Sequence, residues 1–230
     1  RFRLVATALL VALCAGFYSC GGDNDETPLN NDDNSNISNE NGNSVIVGTT
    51  AMVQLKKVGA LSTLISDNVK FNITDLRIMG DINGDDIALI REMAGADVKG
   101  NETNGKLANL NLSNANLVNG GIYYTGITQE VSSSNELWQY MFYKCGSLTS
   151  IVLPNNIAHI GAFALSYSGI TSFTIPNNIQ TIGNEAFANC TKLESIVIGN
   201  SIVSAAENML DGCINLKKIR MLDRKSTRLN

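Results

Sequence analysis

The chain has 230 residues, a formal net charge of −4 and 6% aromatic residues, with 20 Gly against 3 Pro. A nucleic-acid partner calls for a basic surface to meet the phosphate backbone, and the charge balance offers none. With a single His, at position 159, neither a His-rich metal centre nor a repeated His-based triad is available.

The chain does not begin with Met; it opens on the short basic stretch Arg1-Phe2-Arg3, and residues 4–17 form an apolar run without a charged residue. A membrane-spanning helix needs about 20 apolar residues. The shorter run therefore reads as the apolar core of a signal peptide over residues 1–19. It ends at Tyr18-Ser19-Cys20, which resembles a lipobox, although Phe17 and Tyr18 are bulkier than usual there. The resemblance implies acylation of Cys20, which would become the first mature residue and the point of attachment to a membrane. Residues 20–44 are rich in Asn, Asp and Glu, and no Lys or Arg occurs between Leu4 and Leu55. Such a segment buries too little to offset its ordering entropy and is expected to be a disordered tether. The acidic residues after Cys20 resemble the export signal of surface-exposed Bacteroides lipoproteins, implying a lipid-anchored location on the outer membrane, facing outward.

Residues 45–106 are expected to form a strand-turn-helix region that caps the first open face of the C-terminal half. Residues 85–93 read as a helix with an acidic start and apolar residues at Ile87, Ile90 and Met93. Counting a calcium loop from Asp81 places Asn83 and Asp85 at positions 3 and 5 and Glu92 at position 12. Position 6, where the sharp turn requires Gly, is Asp86, and Leu89 and Ile90 continue a helical pattern. The preferred reading is an Asn83-Gly84 turn into an Asp-capped helix, with calcium on Asp81, Asn83, Asp85 and Glu92 as the alternative.

Residues 107–222 carry a repeat of 22 or 23 residues. Phe142, Leu165, Phe187 and Leu210 share one position, and Leu148, Ile170, Leu193 and Leu216 share the next. Two further columns hold Ile151, Phe173, Ile196 and Ile219, then Leu153, Ile175, Ile198 and Met221. A period of this length marks a solenoid, in which one unit cannot bury its apolar face alone and stacking supplies the missing partner. Leu148-x-x-Ile151-x-Leu153 reads as a turn into a short strand ended by Pro154. Ile157 to Ile160 makes a second short extended piece, and a compact helical or 3-10 turn comes after it. Segment 107–122 reads as a less regular leading rung.

The units TSIVLPNNIAHIGAFALSYS, TSFTIPNNIQTIGNEAFANC and ESIVIGNSIVSAAENMLDGC resemble the BspA-type leucine-rich repeats of bacterial surface proteins. The resemblance covers about residues 137–222. It implies an α/β-type solenoid with short parallel strands, and a role in adhesion or ligand binding without catalytic residues. Gly199, Ala205 and Leu210 depart from the pattern, so looser packing is expected in the third copy. Residues 223–230 abandon the repeat and read as a non-native tail. The repeats stop without a polar end unit, so more of them are expected in the intact protein.

No cofactor motif appears, and no phosphate loop, Cys-x-x-Cys or nucleophile elbow. His159 falls between two inward columns and is expected to face solvent. Cys145, Cys190 and Cys213 share a column as small buried thiols; a bridge between Cys190 and Cys213 stays open. The outward strand positions form two columns, Ser150, Ser172, Ser195 and Lys218 beside Val152, Thr174, Val197 and Arg220. Their small side chains leave room for a host or matrix protein or a glycan. Tyr123, Tyr124, Trp138, Tyr140, Tyr143 and Tyr167 could stack on sugar. A non-catalytic binding module of adhesion type is the leading expectation. A passive envelope spacer is the alternative, and a surface hydrolase whose catalytic region lies outside these 230 residues is a more distant one.

Overall fold

The computed structural model describes residues 34–125 and 135–222, and among these described residues are thirteen short strands and one α-helix, β1 to β13 and α1 in chain order. These residues belong to a single compact unit, Asp33–Asn230. The signal-peptide and lipobox readings, Cys20 included, and the tail 223–230 lie outside the described residues.

The N-terminal part begins earlier than expected. Strands β1 (Asn34–Asn39) and β2 (Gly42–Val47) pair antiparallel, so residues 34–44 are ordered sheet and not tether. The physical reason is a period-2 pattern under the polar composition, with Gly42, Ser44 and Ile46 turned inward. The buried Ser44 hydroxyl donates to the Leu64 carbonyl oxygen at 2.7 Å. At Gly42 (φ +147°) a side chain would run into the Gln54 carbonyl oxygen, so only Gly fits.

Strand β3 (Thr50–Leu55) pairs antiparallel with β2, and from there the sheet turns parallel: β3, β4 (Asp75–Ile82), β5 (Asn109–Leu117) and β7 (Ser150–Val152) lie side by side in that order. Two short 3-10 turns, Leu61–Thr63 and Lys70–Asn72, connect β3 to β4. Helix α1 (Gly84–Met93) connects β4 to β5. The capping region therefore shares its sheet with the solenoid.

From β7 onward each rung but the last has two short strands among the described residues. The first set continues as β9 (Ser172–Thr174), β11 (Ser195–Ile198) and β13 (Lys218–Met221), all parallel. The second set is β6 (Glu136–Leu137), β8 (His159–Ile160), β10 (Thr181–Ile182) and β12 (Ser204–Ala205), also parallel. The registers match the repeat columns: Phe173 faces Ile196, Ile196 faces Ile219, and Ile160 faces Ile182. Compact turns link the two sets through bonds three residues apart, such as Ala188 N to Glu185 O at 3.1 Å. They also bond between rungs, Phe142 N to Ala164 O at 2.8 Å and Leu165 N to Ala186 O at 2.8 Å. The architecture is a leucine-rich-repeat solenoid with a capping region.

One apolar core runs from Ile46 in the cap to Ile198 in the third rung, with Phe142, Leu165, Ile170, Phe187 and Ile196 fully buried. The last rung departs from the expected inward columns: Ile219 is 58% and Met221 72% exposed. Among the described residues these two have a neighbouring strand on one side alone, β11, so half of their burial is missing.

Candidate functional site

The outward columns stand on one face of the parallel sheet, because side chains alternate along each strand while Ile151, Phe173 and Ile196 point inward. Ser150, Ser172, Thr174, Lys218 and Arg220 are exposed, Val152 is 47% exposed, and Ser195 and Val197 are half-buried. The columns also extend backward into the cap, which the repeat pattern does not reveal. Asn109 pairs in register with Ser150 and Asn111 with Val152, and Asp75 and Arg77 lie beside those. Asn109 Nδ2 donates to Asp75 Oδ1 at 2.8 Å, which makes the cap end of the face more polar than its middle.

The ladder is interrupted once along this face. β5 bonds to β7 and β9 bonds to β11, but β7 and β9 are not ladder neighbours. Over these two strands lies an open slot of about 380 Å³, lined by Ser150, Val152, Ser172 and Thr174 with Pro154 and Pro176 at one end. The rungs close again at both ends of the slot. Thr171 N donates to the Thr149 carbonyl at 3.2 Å, and Asn178 Nδ2 donates to the Asn155 carbonyl at 3.1 Å. Four of the eight outward residues therefore border one opening. Ser195, Val197, Lys218 and Arg220 lie beyond it, on the next two strands.

The calcium alternative meets a different geometry. Asn83 is the N-cap of α1: its side chain accepts from the backbone N–H of Asp85 and Asp86. Asp86 completes a capping box and accepts from Gly59 N at 2.8 Å and Leu61 N at 2.9 Å. Burial holds the Asp86 carboxyl above the usual carboxylate range, and the backbone N–H donors of Leu61, Asn83 and Gly59 offset only part of that rise. Asp81 accepts from Asn116, Asp85 from Ile122 N, and Glu92 pairs with Lys70 at 2.9 Å. The four side chains thus serve four different contacts. The cap is Asn83 instead of an Asp, with Asp86 as the reciprocal acceptor. Among the described residues no group of three or more His, Cys, Asp or Glu is placed to hold a metal ion.

His159 is half-buried, and its Nδ1 lies 2.8 Å from Thr181 Oγ1 on the next rung. All three described cysteines are free. The Cys190 thiol donates to the Leu165 carbonyl and Cys213 to that of Phe187, both at 3.1 Å. Tyr123 and Trp138 are buried and pack on each other at 5.3 Å, which removes them as sugar platforms. Tyr124, Tyr140 and Phe163 stack in sequence at 5.1 and 4.7 Å, so their faces are largely spent on one another. Tyr143 meets Tyr167 edge-on at 5.7 Å, and Tyr167 is 48% exposed. None of these rings lines the slot.

Residues 125–228 match the family model described as "BspA type Leucine rich repeat region (6 copies)". Among solved structures, a leucine-rich repeat protein from Bacteroides ovatus is 20% identical, with a TM-score of 0.42 over 66% of this chain. The chain spans 38% of that protein's length. A leucine-rich repeat protein from T. pallidum is 15% identical at a TM-score of 0.35, covering 87% of this chain and 84% of its own. One from Eubacterium ventriosum is 12% identical at 0.34, covering 80% and 77%. No curated protein matches the chain.

Proposed function

Starting from a chain that carries a BspA-type leucine-rich-repeat region, we propose that it is a non-catalytic binding module displayed on the outside of a bacterial cell. The observation that supports this best is the outward strand face, where a row of small hydroxyl-bearing residues borders an open slot. The parallel pairing of β9 with β11 holds Ser172 and Thr174 in register with Ser195 and Val197, so a partner meets these four with little ordering cost. In this reading Cys20 is acylated and holds the body at the outer membrane, and residues up to 33 serve as the spacer. The partner is a host or matrix protein or a glycan.

The test uses the full chain on an array of matrix proteins and glycans. Binding should fall when Ser172, Thr174 and Ser195 are replaced by bulky residues while the melting temperature stays unchanged. No ligand on the array, together with undiminished cell attachment in a deletion strain, would favour a passive spacer. For the anchor, metabolic labelling with a fatty acid should mark the chain and lose the mark in Cys20→Ala.

A further inference from the structure

The compact turns carry a second surface, and its backbone singles it out. Two positions recur as left-handed in successive turns. One holds Tyr140, Phe163 and Glu185 at φ 59°, 57° and 53°, and the other holds Lys144, Tyr167 and Asn189 at 62°, 58° and 58°. Gly adopts this conformation freely, as Gly212 does at φ +74° one rung after Asn189, whereas a ring or a long side chain is strained there. Strain kept in consecutive rungs points to side chains that are needed at this surface.

Backbone bonds between rungs set these positions side by side. Phe163 N donates to the Asn184 carbonyl at 3.0 Å, and Tyr167 N to that of Ala188 at 2.9 Å. Phe163 thus lies beside Glu185, with Tyr140 stacked on it at 4.7 Å from the rung before. Tyr143 stands edge-on to both Tyr140 and Tyr167, at 5.3 and 5.7 Å. The phenol oxygens of Tyr140, Tyr143 and Tyr167 make no hydrogen bond among the described residues. The Glu185 carboxylate makes none there either, and it has no ion pair among them. Burial raises the Tyr140 and Tyr143 phenols above their ordinary range, and neighbouring phenols and the Glu185 charge add to the rise. Cations already border this cluster: the Arg91 guanidinium lies over the Tyr124 ring at 5.1 Å and the Lys144 ammonium over the Tyr143 ring at 5.5 Å.

We propose that this turn face binds an arginine side chain of a basic protein segment. A carboxylate with both oxygens free matches the guanidinium fork, and the guanidinium plane packs on the edge-to-face pair of Tyr143 and the 48% exposed Tyr167. The phenol oxygens accept its remaining N–H groups. A quaternary ammonium would leave these acceptors unused, a neutral sugar would leave the carboxylate without a counter-charge, and an acidic one would meet it with like charge. The turn face shares no residue with the outward strand columns, so either surface can fail without the other.

The test follows the tyrosine ring signals of the full chain by NMR as N-acetyl-arginine amide is added. N-acetyl-citrulline amide serves as the neutral counterpart, and N-acetyl-lysine amide as a cation without the planar fork. The arginine compound should move the Tyr143 and Tyr167 signals and bind about tenfold tighter than the citrulline compound. Glu185→Gln should weaken it by about tenfold, and Tyr167→Ala should weaken it as well, both with an unchanged melting temperature. Glu40→Gln, which removes an exposed charge from the turn between β1 and β2, should leave binding as it is. Equal affinity for the arginine and citrulline compounds overturns the proposal, and so does undiminished binding in Glu185→Gln. An equal loss in Glu40→Gln also overturns it, since net charge alone would then explain the effect. Tighter binding of the lysine compound, or ring signals that none of the three compounds moves, overturns it too.

Discussion

The guanidinium of Arg91, at the end of the cap helix, donates from Nη1 to the backbone carbonyl of Tyr140 in the first repeat turn at 3.0 Å. The same nitrogen reaches the Met141 carbonyl at 3.1 Å, and Nη2 reaches that of Asp97 at 2.9 Å. Arg91 is fully buried and has no carboxylate partner among the described residues; its charge rests on carbonyl dipoles and on the Tyr124 ring at 5.1 Å. Tyr140 adopts a left-handed backbone (φ 59°), which aims its carbonyl at the helix. The contact fastens the cap to the repeats.

Replacing Arg91 with Met should therefore destabilise the protein by about 2–4 kcal/mol, because three carbonyls lose a charged donor together. Arg91→Lys should recover only part of this, since an ammonium lacks the planar fork that spans two turns. Denaturant melts of the three proteins decide it; equal midpoints would mean the contact contributes nothing.

The inward and outward columns should respond differently to charge. Ile196 is fully buried and Val197 beside it is half-buried on the outward face. Ile196→Asp should lower stability by on the order of 4 kcal/mol and Val197→Asp by about 1 or less. Comparable losses at both sites would contradict the observed facing.

At the start of α1, Asn83→Ala should cost about 1 kcal/mol as a lost helix cap. Asp86→Ala should cost more, since it strips an acceptor from Gly59, Leu61 and Asn83 together. A ligand that binds only the folded state raises the melting temperature. Millimolar calcium should therefore leave it unchanged, and a clear rise would revive the calcium loop.

The thiols should label in order of exposure. Cys213 is half-buried, whereas Cys145 and Cys190 are fully buried and burial pushes both thiols up to about 11. Alkylation at pH 8, followed by peptide mass spectrometry, should mark Cys213 first and the other two only on unfolding. Both shifts are upward, so the folded state holds its protons longer than the unfolded chain. Stability should be unaffected well below pH 9 and fall as the pH rises from about 9 through about 11.

Most of the solenoid is legible in the sequence because its signal recurs. Ile151, Phe173 and Ile196 repeat at a fixed spacing, and the same spacing sets which residues face outward. The strands at 34–44 are hidden because Asn and Ser dominate them, and their inward positions are held by Gly42 and Ser44, which carry no hydrophobic signal. The slot is not legible either. It depends on whether two neighbouring strands complete their ladder, and Ser150 and Ser172 look alike in sequence whether or not they do. The aromatic positions mislead for a related reason: composition identifies a ring but not whether Trp138 or Tyr140 has already spent its face on a neighbour.

The parallel pairing of β5 with β7 gives the chain a direction of assembly. Strands β4 and β5, joined through α1, form the longest parallel pairing among the described strands. Each later rung then adds to an existing edge by closing a loop of only 22 or 23 residues, a short search in folding terms. The cap thus fixes the register Asn109 to Ser150, and beyond the interruption after β7 the strands β9, β11 and β13 keep a parallel register of their own. Synthesis delivers the chain in the same order, so each rung emerges after the strand it packs against.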